Sequence, residues 1–218
     1  RGAQVLAMSR SLGGLEALLA THPEQLQWLR GDVTSAEDLA ELGRRAAQLG
    51  PVHYLVPNAG IAELADGLDM AAFDRQWAVN GAGALNTLAV MRNELAKPAS
   101  VVFVGTFLIR STFPGLAAYI ASKAALAAQA RTLAVEFAPL DVRINMVSPG
   151  PTATAIWGTL GLTDDQLEGV ADGVTKRLLP GHFLESAAVA NVILFQLSQG
   201  ARGVFGQDWV VDNGYTIS

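Results

Sequence analysis

Tyr119-Ile120-Ala121-Ser122-Lys123-Ala124-Ala125 opens an alanine-rich stretch, 119–138, and Arg143-Ile144-Asn145-Met146-Val147-Ser148-Pro149-Gly150 follows it. The first reads as a long helix, since alanine is the strongest helix former. The second reads as an apolar strand, 142–147, closed by Ser148-Pro149-Gly150. Just upstream, 100–104 is an uninterrupted apolar run and reads as another strand. Strand, helix and strand in succession make a βαβ unit, with a parallel pair and a right-handed crossover.

The same alternation continues outward. On the N-terminal side, strands are expected at 4–8, 26–29 and 52–56, the second ending at Gly31-Asp32 and the third at Asn58-Ala59-Gly60. Helical patterns cover 13–20, 70–77 and 81–95. Ser35 caps a further helix through Gln48, with Asp38 three residues on completing a pattern like a capping box. On the C-terminal side, 152–180 is dotted with glycine, reads as a mobile lid, and carries a helical pattern near 164–171. A helix at 185–197 and a strand at 209–211 end the series. Repeated βα units of this kind predict an α/β fold: a Rossmann-type doubly wound parallel sheet in three layers, as one domain spanning 1–218.

Composition agrees with that class and narrows the function. Half of the 218 residues are hydrophobic and only 16% are charged, as a sheet buried on both faces requires. Fifteen basic and 20 acidic residues leave −5 and no basic patch, which speaks against nucleic acid. The chain has no cysteine, so disulfides and thiolate zinc sites are excluded. His22, His53 and His182 are scattered, so no metal site is expected. No apolar stretch is long enough for a membrane span, and no signal peptide opens the chain, so a cytoplasmic location is the expectation.

Tyr119 and Lys123 stand four residues apart on the helix, hence on one face. A phenol ordinarily titrates near pH ~10, and a neighbouring ammonium favours the phenolate. A tyrosine tuned in this way can protonate a carbonyl or deprotonate an alcohol. The spacing alone is equally that of a core aromatic beside a solvated charge.

Context separates the two. Asn58-Ala59-Gly60, Val79-Asn80, the Tyr119–Lys123 pair and the Arg143–Gly150 segment occur in an order that resembles the short-chain dehydrogenase/reductase family, across Gly2 to Tyr215. The resemblance implies an oxidoreductase that moves a hydride between a nicotinamide and a carbonyl or secondary alcohol. Tyr119 is then the acid/base, Lys123 lowers its pKa and binds the nicotinamide ribose, and Asn80 holds a water for proton relay. The substrate-orienting position, usually serine, is Thr106, which keeps the hydroxyl and adds a methyl. Thr106 also fits an ordinary strand end.

The cofactor residues follow from the same resemblance. Asp32 and Val33 contact adenine, Asn58, Ala59 and Gly60 line the adenosine ribose, and Pro149, Gly150, Thr152 and Thr154 lie at the nicotinamide, where Gly150 lets the backbone approach the ring. The position that selects NAD(H) by an acidic side chain is Ser9, which is neutral, and Arg10 beside it suits a 2′-phosphate. NADP(H) is therefore the expected cofactor, with NAD(H) as the alternative; Arg10 equally fits a plain surface arginine.

The family's opening strand and glycine-rich phosphate turn have no match here, because Gly13-Gly14 has the wrong spacing. In the strand order 3-2-1-4-5-6 that strand is central, so a gap is expected between the strands at 4–8 and 52–56. Phe107, Leu108, Ile109 and Trp157 suggest an apolar pocket and a rather hydrophobic small-molecule substrate, and suit core or subunit contacts equally. The resemblance further implies a homotetramer or dimer. The alternative is a non-catalytic partner subunit or ligand-binding protein on the same fold.

Overall fold

The computed structural model describes residues 2–218. Six strands are all parallel within their sheets: β1 (Val5–Ser9), β2 (Leu26–Arg30), β3 (Val52–Leu55), β4 (Leu95–Val104), β5 (Val142–Pro149) and β6 (Asp208–Val211). They form two groups, β1-β2 and β3-β4-β5-β6. No ladder joins β1 to β3 among the described residues, which is the gap that the strand order predicted.

Seven α-helices connect them: α1 (Leu15–Thr21), α2 (Ala36–Leu49), α3 (Met70–Trp77), α4 (Ala84–Met91), α5 (Ala117–Phe137), α6 (Asp164–Thr175) and α7 (Ser186–Leu197). The period-2 alternation of the central strands separates two cores. Val101 and Phe103 of β4, with Ile144 and Met146 of β5, pack under α4 and α5. Val102 and Val147 pack on the opposite side against Val189 and Leu197 of α7. Helices thus cover both faces, as the apolar runs in the central strands require. A third cluster, Leu39, Leu42 and Ala46 of α2 with Met91, packs against Leu6, Met8, Leu29, Val52 and Leu55. It therefore reaches residues of both sheets from one side.

Local chemistry sets the element ends. The Ser35 hydroxyl accepts from Asp38 N–H, so the expected cap is present. The reciprocal bond of a capping box is not made: the Asp38 carboxylate accepts from Asp32 N–H at 2.8 Å instead. The helix expected over 81–95 differs more. Residues Ala78–Gly83 form a π-helix, α4 ends at Met91, and Leu95 begins β4 opposite Val52. Gly81 lies under the Trp77 ring, which a Cβ there would overlap, so the wide turn accommodates the indole. Leu95 is apolar in either setting, and only its pairing with β3 decides which it joins.

Candidate active site

The carboxyl ends of the parallel strands carry almost every residue singled out from the sequence. Ser9 and Arg10 end β1, Asp32 and Val33 follow β2, and Asn58–Gly60 follow β3. Thr106 follows β4, while Pro149 to Thr154 end and follow β5. In an open parallel sheet this edge is where ligands bind, because the loops there diverge and the helix N-termini face it.

The helix α5 brings Tyr119 and Lys123 to this edge on its buried stripe, which continues through Leu126, Ala130 and Ala134. Tyr119 is 8% exposed and Lys123 3%. The Thr106 hydroxyl, also buried, draws the Tyr119 pKa down, but burial is the larger influence and holds the phenol above its ordinary value. Lys123 makes no hydrogen bond to the phenol. Its Nζ donates to Val104 O at 2.8 Å, and burial brings the ammonium down to about 8. Four residues of helix place both side chains on one face; the lysine's four-carbon stem then carries its charge past the ring to the strand end.

Asn80 lies in the π-helix, completely buried. Its Oδ1 accepts from Ile61 N–H at 2.9 Å, and its Nδ2 donates to Ile61 O at 3.0 Å and Ser122 Oγ at 3.1 Å. Both amide donors are thereby used within the protein, so the side chain holds the backbone. Gly60 closes the group: a Cβ there would lie 3.3 Å from Asn80 Oδ1 and 3.5 Å from Lys123 Nζ. Ser122, which the sequence reading passed over, links Asn80 to the Tyr119 carbonyl through a 2.7 Å bond. Its only sequence signal is a small hydroxyl between the tyrosine and the lysine.

The outer residues are held in definite ways. Asp32 takes Thr34 N–H and hydroxyl on Oδ1, at 2.9 and 2.8 Å, and these bonds with nearby Arg10 lower its pKa. Val33 lies against Gly83, where a Cβ would come within 2.7 Å of its Cγ2. Ser9 Oγ donates to Ser11 O and accepts from the Trp28 indole, at 2.7 and 2.9 Å. Arg10 is exposed and makes no ion pair among the described residues. Asn58 and Ala59 are exposed beside Gly60. Gly150 has a nearer reason to lack a side chain than approach to a ring: a Cβ would sit 2.5 Å from the Asp212 backbone. Thr152 donates to Gly150 O, and its carbonyl accepts from Trp157 Nε1 at 2.8 Å. Thr154 is exposed.

Of the four residues expected to line a substrate pocket, Trp157 borders an apolar one. It lines a cavity of about 540 Å³ with Thr154, Leu167, Ala171 and Phe183. Phe107 and Leu108 are instead core, packed with Tyr119 and Tyr215, because the 3-10 turn after Thr106 directs them inward. Ile109 borders a different cavity, beside Arg110 and Asp208.

A family model described as enoyl-(acyl carrier protein) reductase matches residues 1–216. The chain is 32% identical over 224 residues to carbonyl reductase [NADPH] 2 of Sus scrofa, covering all of this chain and 88% of that one. This chain is a short-chain dehydrogenase/reductase. The family makes it a nicotinamide-dependent oxidoreductase. This short-chain dehydrogenase/reductase is also 32% identical to 2,3-dihydro-2,3-dihydroxybenzoate dehydrogenase of Escherichia coli, over 85% of this chain and 79% of the other. Among solved structures, a glucose/ribitol dehydrogenase from Brucella melitensis superposes with a TM-score of 0.89 at 26% identity, covering 100% of this chain and 88% of its own.

The residues present suit a nicotinamide dinucleotide at its two ends. At one end, Asp32 keeps Oδ2 outside its Thr34 bonds, and Arg10 makes no ion pair among the described residues. At the other, Gly60 leaves a recess against Asn80 and Lys123 that any side chain would fill.

Proposed function

We propose that this chain is an NADP(H)-dependent reductase or dehydrogenase acting on a carbonyl or secondary alcohol, with Tyr119 as the general acid/base. When bound, the cofactor supplies or takes up the hydride. The convergence of Thr106, Tyr119, Lys123 and Asn80, all buried, at the carboxyl edge of the sheet carries this reading. Thr106 and Tyr119 orient the substrate oxygen between two hydroxyls. Tyr119, held protonated by burial at neutral pH, donates the proton in reduction and must give it up for oxidation. Lys123 holds its charge at the ribose side, beside Gly60, and Asn80 fixes the backbone against which that side rests. Asp32 and Val33 at the adenine, Asn58, Ala59 and Gly60 along the ribose, and Pro149, Gly150, Thr152 and Thr154 at the nicotinamide complete the cofactor contacts.

The preference for NADP(H) rests on Arg10. Ser9 is neutral and its hydroxyl is engaged by Ser11 and Trp28, so no carboxylate stands there for a 2′-hydroxyl, and a guanidinium matches a 2′-phosphate. The NADPH named for the pig relative supports the same choice. The substrate is apolar, its body lying along Trp157, Leu167, Ala171 and Phe183. A cytoplasmic homo-oligomer, tetramer or dimer, belongs to the same proposal.

Titration with NADPH and NADH, followed by turnover of a panel of apolar ketones, tests the reading. Tyr119→Phe is expected to keep NADPH affinity and lose about 10²–10⁴-fold in kcat. Arg10→Ala is expected to lose about 10-fold in NADPH affinity while NADH binding stays unchanged. Tight cofactor binding with no turnover of any carbonyl would favour the non-catalytic reading.

A further inference from the structure

Three consecutive residues after β3 have their backbone groups held by side chains instead of a neighbouring strand. Asn80 bonds both polar groups of Ile61, as described above. Gln76 does the same for Glu63: Oε1 accepts from the N–H at 3.0 Å, and Nε2 donates to the carbonyl at 3.2 Å. Between them, Thr159 bonds Ala62, its Oγ1 accepting from the N–H at 3.1 Å and donating to the carbonyl at 2.7 Å. An extended segment directs alternate residues to opposite sides, so 61 and 63 are served from one side and 62 from the other.

The two sides differ in kind. Asn80 and Gln76 are completely buried and belong to α3 and the π-helix that follows it. Thr159 is exposed and ends a 3-10 turn, Ala155–Thr159, at the front of the lid segment. The root of that segment is pinned, since Ala153 N–H donates to Leu184 O and Leu184 N–H to Pro151 O, each at 2.9 Å. Thr159 is thus where the lid reaches back to the strap that Asn80 holds.

The bond is also built to open. A hydroxyl has one proton, and Thr159 Oγ1 has a second acceptor within its own turn, Ile156 O at 2.7 Å. If the turn lifts away, the hydroxyl donates to Ile156 O alone, and the Ala62 groups meet water. Neither side is left with a buried unpaired group.

We propose that Thr159 is a positioning residue: a latch that seats the lid, with Trp157 and the apolar cavity, on the 61–63 strap beside Asn80. Its effect on turnover rests on the oxidoreductase reading above; its effect on the strap does not. Thr159→Val removes the hydroxyl at an exposed position, and Thr159→Ser restores it.

Hydrogen exchange at the Ala62 amide in the ligand-free protein is expected to quicken on the order of 10-fold in Thr159→Val and to return in Thr159→Ser. With an apolar ketone, KM is expected to rise by a similar factor in Thr159→Val, with NADPH affinity unchanged and serine restoring KM. Unchanged Ala62 exchange overturns the latch. Faster exchange with an unchanged KM overturns its role in seating the lid. Absence of turnover in the parent protein is a failure of the functional reading, and the exchange result then decides the latch by itself.

Discussion

Lys123 shows how far a single side chain departs from its ordinary chemistry once the helix buries it. Its ammonium is brought down from 10.5 to about 8 by burial, with Val104 O as its bonded partner. Between about 8 and 10.5 the unfolded chain holds a proton that the folded protein has lost, so this residue makes stability rise with pH across that window. Below about 8 the folded protein bears the full cost of the buried charge, on the order of 3 kcal/mol. Lys123→Met removes that dependence and leaves Tyr119 in both proteins. Urea unfolding at pH 7 and pH 10 should therefore show the variant losing ground to the parent as pH rises, by about 2–3 kcal/mol. A difference independent of pH would refute the assigned burial cost. The type and spacing of Tyr119 and Lys123 were legible in the chain. The lysine's partner was not, because Val104 is 19 residues away and joins it only through packing.

At the scale of elements, the junctions between strand and loop carry the tightest geometry. Gly150 ends β5 against the backbone of Asp212, whose carboxylate collects Gly214 N–H, Thr216 N–H and the Thr216 hydroxyl. A methyl at 150 would come within 2.5 Å of Asp212 Cα, and backbone cannot rotate aside as a side chain can. Gly150→Ala is expected to destabilise by about 1–3 kcal/mol through overpacking and to loosen the segment that follows. Thermal unfolding checks the first effect and proteolysis within 152–180 the second; an unchanged Tm would show that the turn adapts. The glycine itself was visible in Ser148-Pro149-Gly150, but the sequence pointed to a ligand as its cause. The π-helix was invisible altogether, since nothing in Ala78 to Gly83 distinguishes a wide turn from an α-turn until Trp77 is placed over Gly81.

Across the whole molecule, the sheet divides into a half-exposed pair and a group of four whose middle strands, β4 and β5, are buried. Strand β1 has no fully buried residue, whereas Val101, Val102, Phe103, Ile144 and Val147 of β4 and β5 have no exposed surface. Local opening is easiest where few apolar contacts resist it. Backbone amides of β1 and β2 are therefore expected to exchange at least about 100-fold faster than those of β4 and β5. Equal protection throughout would mean that the third cluster under α2 and α4 welds both sheets into one cooperative unit.

The sequence by itself determined the order of elements, the parallel α/β class and the chemical types at the strand ends, while the gap between β1 and β3 came from the family resemblance. Those follow from periodicity, turn residues and motif order, which are local along the chain. Only the tertiary structure decided what each site residue holds: Lys123 on Val104, Asn80 and Thr159 on adjacent residues of one strap, Gly150 against Asp212. It also moved Phe107 and Leu108 from the pocket to the core. The reason is physical. A residue type limits which bonds a side chain can make, but the partner is chosen by atoms brought within about 3 Å from distant parts of the chain.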